Sequence, residues 1–84
     1  MIAYLKGKIK HKEADQVILD VGGVGYCARI PLSTFLKIGD PGDTAELIIH
    51  THMTDNSLLL YGFCSEEEKS LFQKILILKN LQAG

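Results

Sequence analysis

Tryptophan is missing from this 84-residue sequence, and cysteine, methionine and proline occur only twice each. Two cysteines, Cys27 and Cys64, can form one bridge at most and share no metal-ligand spacing. A disulfide framework and a cysteine-built metal centre are therefore out of reach, and both read as reduced thiols of a cytosolic protein. Charge of one sign is also lacking: nine basic residues against ten acidic give a net −1. Domains that grip nucleic acid unaided are usually clearly basic, so the balance argues against that class. No apolar run approaches the ~20 residues that span a bilayer. The opening Met1-Ile2-Ala3-Tyr4-Leu5-Lys6 lacks the apolar core of a signal peptide, and a cytoplasmic location is expected. Repeats, low-complexity tracts and linkers are absent as well, so the chain reads as one unit. No serine, cysteine or lysine is flanked by an evident base, and neither an enzyme nor a cofactor is expected.

What is present is an ordinary globular share of apolar residues, 46%. That suffices for one small core, burying roughly 60% of the unfolded chain's surface. From Ile2 to Lys12 the pattern alternates, with Leu5, Gly7 and Ile9 on one side and Lys6, Lys8, Lys10 and Lys12 on the other. Period-two alternation predicts a half-buried strand, and Gly7 within it predicts a bulge or sharp bend. Glu13-Ala14-Asp15 is a turn. Val17, Leu19 and Val21 alternate with Ile18 and Asp20 in a second strand. Gly22-Gly23-Val24-Gly25 turns into a third, Tyr26 to Ile30. Pro31 to Leu36 suits a short helical turn, and Asp40-Pro41-Gly42-Asp43 a loop. Ala45 to Met53 and Leu58 to Phe63 form a hairpin through Thr54-Asp55-Asn56-Ser57. The predicted core is Leu5, Ile9, Val17, Leu19, Val21 and Leu60.

The final segment changes period. Ser65-Glu66-Glu67-Glu68 is a capping box in which Ser65 caps an amide and Glu68 returns a bond to the N–H of Ser65. Leu71, Phe72, Ile75, Leu76 and Leu78 follow at helical spacing, and Ile77 and Leu81 widen the stripe until the last turns are apolar almost all round. Such a helix needs cover from more than its own barrel, so Ile75, Ile77 and Leu78 are candidate assembly residues. Five strands with a helical turn between the third and fourth are the element order of an OB-fold. The expected class is mainly β, a five-stranded OB-fold β-barrel followed by one C-terminal α-helix. The expected division is 1–64 for the barrel and 65–84 for the helix.

The chemistry-bearing constellations read mostly as structure. Gly22, Gly23 and Gly25 precede a strand, whereas a phosphate loop opens a helix, so they mark a turn. His50 and His52 share one side of a strand, but a metal would need a third ligand and nothing places His11 nearby. The row Lys6, Lys8, Lys10 and Lys12 can track a phosphate backbone or form a solvated outer face. Base-stacking aromatics are few, which favours the outer face.

Val21-Gly22-Gly23-Val24-Gly25-Tyr26 and Leu59-Leu60-Tyr61-Gly62-Phe63 resemble the bacterial Holliday-junction-binding RuvA family. So do Met1-Ile2-Ala3-Tyr4-Leu5-Lys6-Gly7, the His50-Thr51-His52 region, and Glu68-Lys69 with Leu71-Phe72, in register to about Leu78. The resemblance implies an N-terminal OB-fold domain of a protein that assembles as a tetramer on four-way junction DNA. It also implies recruitment of a hexameric ATPase motor, which holds the catalytic activity, for branch migration in recombination and repair. The family places a pair of acidic residues in the turn between the fourth and fifth strands, where their charge steers DNA strands apart. The matching positions are Asp55, which keeps the charge, and Asn56, which does not. Beyond the helix the family continues into a helix-hairpin-helix. The matching Asn80-Leu81-Gln82-Ala83-Gly84 lacks its glycine and basic signature. The expectations are a domain fragment or short relative, self-association to a dimer or tetramer, and weak junction binding alone. A single-strand-binding OB module using the lysine row and Tyr26, or a protein-interaction domain without DNA, is the competing reading.

Overall fold

The computed structural model describes the backbone of residues 1–83 and the side chains of residues 1–79. The expectations placed on the Leu81 side chain and on Gly84 lie outside the described residues. The order is β1 (Tyr4–Glu13), β2 (Gln16–Val21), β3 (Val24–Arg29), α1 (Leu32–Lys37), β4 (Thr44–Met53), β5 (Leu58–Phe63) and α2 (Glu66–Ala83). The strands close into a barrel in the order β1-β2-β3-β5-β4, with β4 returning to β1. All pairings are antiparallel except β3 with β5, which is parallel and holds only Ala28↔Leu60 and Arg29↔Tyr61. This is the OB-fold architecture that the element order predicts. Among the described residues no helix is long and apolar enough to cross a membrane.

Period-two patterning fills the interior. Leu5, Ile9, Val17, Leu19 and Leu60 are buried as expected, together with Ala28, Ile30, Leu47 and Ile49. Val21, also expected inside, is only half-buried, because it ends β2 where the chain turns out of the barrel. That turn is set by Gly22 and Gly23, with φ of 61° and 93°. Both lie in the left-handed region that a two-residue hairpin loop requires. The Gly23 N–H donates to Asp20 Oδ1 at 2.8 Å and closes the turn.

Gly7 is not the bulge. The register slips three residues later, between Ile9 and His11. Gly7 instead marks a close approach of two strands, since a Cβ there would stand 2.4 Å from the Asp20 carbonyl oxygen. The bulge has its own consequence for the lysines. Before it, even-numbered residues of β1 point outward; after it, Lys12 pairs with buried Val17 and faces inward. Residues directly opposite share a face of the sheet. The Lys12 Nζ therefore lies over the end of the barrel, 4.4 Å from the Phe35 ring centroid, donating to the Phe35 carbonyl at 3.4 Å. The expected one-sided row of four lysines is a row of three.

The helix α2 packs on the outer face of the β4–β5 hairpin. Phe72 is its anchor, with ring centroids 4.8 Å from Tyr61 and 5.2 Å from Phe63. Ser65 caps as predicted, its Oγ accepting from the Glu68 N–H at 3.2 Å. The reciprocal half of the box differs. Instead of turning back to Ser65, the Glu68 carboxylate accepts from the Thr34 hydroxyl at 2.8 Å and from Lys37 Nζ at 3.2 Å. Thr34 is fully buried, and its hydroxyl needs an acceptor more than an exposed helix terminus does.

Candidate functional site

The turn between β4 and β5 is built by two hydroxyl residues. The Thr54 N–H donates to the Ser57 carbonyl at 2.9 Å, the Ser57 N–H donates to Thr54 Oγ1 at 3.0 Å, and the two hydroxyls lie 2.7 Å apart. The ladder beneath is continuous from Met53↔Leu58 down to Ile48↔Phe63. This clasp presents Asp55 and Asn56, both exposed, at the tip of a supported hairpin. Each copy of the chain thus offers a single carboxylate on that tip.

Lys6, Lys8 and Lys10 are exposed on the outer face of β1. They are not beside the tip. Lys6 stands opposite Glu46 and Lys8 opposite Thr44, at the far end of β4. At about 3.3 Å per strand residue, that is roughly 30–36 Å along the strand from Asp55. Lys6 is ion-paired, its Nζ 3.8 Å from Glu46, and Lys8 stands opposite Asp20 in the β1–β2 ladder. The geometry therefore separates two features, an acidic tip and a balanced, mildly basic flank.

The third feature is the outward side of α2. Its barrel-facing residues are Phe72, Gln73 and Leu76, all half-buried. Leu71, Ile75, Ile77 and Leu78 face away, with 61%, 45%, 59% and 58% of their surfaces exposed. Leu71 and Ile75 border a shallow apolar groove of about 200 Å³ shared with Pro31, Phe63 and Phe72. The residues expected to serve assembly are thus left uncovered by a single copy.

Between barrel and helix lie contacts that sequence reasoning did not foresee. His50 and His52 project from the outer face of β4, but only His50 is covered by α2. Its Nδ1 lies 3.2 Å from Gln73 Nε2, and the Phe72 ring meets it edge-on at 5.5 Å. Burial, then the nearby charges of Lys69 and His52, hold its imidazole below the ordinary value. At the first turn of α2, burial pushes the Glu68 carboxyl up. The hydrogen bonds from Thr34 and Lys37, the Lys37 charge and a backbone N–H at Cys64 outweigh it, and the net shift is down. Thr34, Lys37 and Gln73 carried no motif. Only the four-residue spacing of Lys69 and Gln73 hinted at a polar stripe within the apolar helix.

A protein-family profile described as the RuvA N-terminal domain matches residues 1–62. Among similar curated proteins, the Holliday junction branch migration complex subunit RuvA of Syntrophobacter fumaroxidans is 45% identical over 76 residues, 90% of this chain. The protein of the same name from Syntrophotalea carbinolica is 53% identical over 76 residues, again 90% of this chain. That from Geobacter sulfurreducens is 45% identical over the same length. The chain spans 38–39% of the length of these relatives.

Proposed function

The chain belongs to the RuvA N-terminal domain family, and on that premise we propose that it is the oligomerising N-terminal domain of a Holliday-junction-binding subunit. Its place is a non-catalytic one in a branch migration complex of DNA recombination and repair. A separate hexameric ATPase motor supplies the energy, and the setting is cytoplasmic. The single observation that carries the reading is the family match over 1–62 on a closed OB barrel whose β4–β5 turn projects a carboxylate.

In an assembly around a four-way junction, the Asp55 turns of the copies converge near the centre. A carboxylate there repels phosphates and steers strands apart, since like charges in a confined setting are poorly screened. Asn56 contributes shape and hydrogen bonding but no charge, so each copy repels with one carboxylate. Lys6, Lys8 and Lys10, the first two roughly 30–36 Å away along the strand by residue rise, would touch backbone only outside the centre. Ile75, Ile77 and Leu78 supply the apolar surface for a dimer or tetramer. Residues 65–84 begin the helix-hairpin-helix unit, after a barrel of 1–64.

Anisotropy titrations of the chain against a four-way junction and a single strand of matched length test this reading. With a net charge of −1, junction binding should be weak or undetectable at physiological salt, because phosphate contacts supply most non-specific affinity. Tight binding of the single strand by a monomer would replace the reading with a single-strand-binding module. No response to any DNA, even at low salt, would leave a protein-interaction domain instead.

A further inference from the structure

The middle of α2 is attached to the barrel through one polar contact set in an aromatic nest. His50 Nδ1 lies 3.2 Å from Gln73 Nε2, and the His50 ring packs against Phe72 at 5.5 Å and Tyr61 at 6.3 Å. An amide nitrogen only donates, so in this arrangement Nδ1 is an unprotonated acceptor. The groups facing the ring from the surrounding elements are Lys69 and Gln73 on α2, His52 on β4 and the Tyr61 ring on β5. The charges of Lys69 and His52 oppose a second proton on His50.

We propose that His50 is a proton-sensitive latch, holding the middle of α2 on the barrel while neutral and releasing it when protonated. Protonation of Nδ1 removes the acceptor for Gln73 Nε2, so the contact is kept only where the amide turns its Oε1 to the ring, and it places a cation beside Lys69. The first turn of α2 stays anchored by Thr34, Lys37 and Glu68 through bonds that do not involve the histidine. Protonation therefore loosens the helix beyond its Glu68 attachment, leaving the Phe72 packing on Tyr61 and Phe63 as the remaining hold, and shifts what α2 contacts through Leu71, Ile75 and Leu78. The inference does not depend on DNA binding. It is a property of the barrel–helix seam alone.

The direction follows from linkage. Burial, Lys69 and His52 lower the His50 pKa in the docked state relative to the ordinary 6.5 of a free imidazole. Docking is then fully favoured above 6.5 and is lost progressively as pH falls below that value toward the lowered docked pKa. The opening constant should rise by on the order of tenfold for each unit that separates the two pKa values.

Hydrogen exchange resolved by residue tests this on the whole chain, corrected for intrinsic rates. Protection of α2 amides around Phe72 to Leu76 should fall on moving from about pH 8 to about pH 5.5, while protection at Leu19 and Ile49 in the barrel is retained. His50→Gln, which keeps an acceptor but cannot titrate, should abolish that fall. A second readout needs no variant. The ¹⁵N resonances of the His50 ring should titrate below 6.5 together with amide shifts along α2. Protection that ignores pH, an equal fall in His50→Gln, or a His50 titration that leaves α2 unmoved would each overturn the latch.

Discussion

Thr34 Oγ1 donates to Glu68 Oε2 at 2.8 Å, joining a fully buried residue of α1 to the first turn of α2 across 34 positions of sequence. Lys37 Nζ reaches the other carboxylate oxygen at 3.2 Å. Together they fix the angle at which the helix leaves the barrel. Thr34→Val removes the donor at nearly constant volume and leaves the carboxylate with Lys37 and solvent. The expected loss is about 1–2 kcal/mol, the range of a hydrogen bond to a partly exposed charge. Urea unfolding measures it, and a loss under about 0.5 kcal/mol, a surface-like value, would remove the anchor from the account.

The same carboxylate predicts a pH effect in a separate window from His50. Its folded pKa is depressed below the ordinary 4.5, so its contribution is complete above 4.5 and is lost as pH falls through the lowered folded value. Midpoints of urea unfolding followed from about pH 6 to about pH 3 should decline, and Thr34→Val should shallow that decline. Identical pH curves for both proteins would show that the hydroxyl does not set the Glu68 pKa.

Gly7 and Gly25 provide a paired test of the barrel's close approach. Neither has a positive φ. A Cβ on Gly7 would sit 2.4 Å from the Asp20 carbonyl oxygen and 2.9 Å from Val21 Cγ2, and backbone cannot step aside as a flexible side chain can. At Gly25 the nearest atom is Ile18 Cγ2, at an ordinary 3.5 Å. Gly7→Ala should therefore destabilise by about 1–3 kcal/mol, as overpacking does. Gly25→Ala should stay within about 0.5 kcal/mol, and equal effects at the two positions would contradict the geometry.

Most of the barrel was legible because period-two burial leaves a plain record. Leu5, Ile9, Val17, Leu19 and Leu60 alternate with polar residues and point inward as predicted. Gly22 and Gly23 announced a turn that only left-handed residues complete. What escaped depends on register and on contacts distant in sequence. A one-residue slip between Ile9 and His11 reverses every later side chain of β1. Lys12 thus leaves the lysine row for the Phe35 ring. Glu68 matches a capping box locally, yet a buried hydroxyl 34 residues upstream claims it. His50 looked like one of two equivalent strand histidines until α2 covered one and not the other.

The candidate site divides in the same way. Asp55 and Asn56 were placed at a hairpin tip by composition and by resemblance, and they are exposed there. The distance of the lysines from that tip followed only once β1 was paired with β4 in register. The uncovered face of α2 was visible in the unbroken run Ile75-Leu76-Ile77-Leu78, which no one-sided helix can bury.

That face carries the central claim of an assembling domain, and the mass of the chain in solution tests it most directly. Ile75, Ile77 and Leu78 are 45%, 59% and 58% exposed in one copy, and burying each such side chain stabilises by roughly 1.5–3 kcal/mol. Light scattering should give the mass of a dimer or tetramer. Ile77→Glu should return it to the 9.3 kDa monomer with the barrel still folded by circular dichroism. A monomer in which the Ile77 and Leu78 amides are nevertheless protected from exchange would contradict the account.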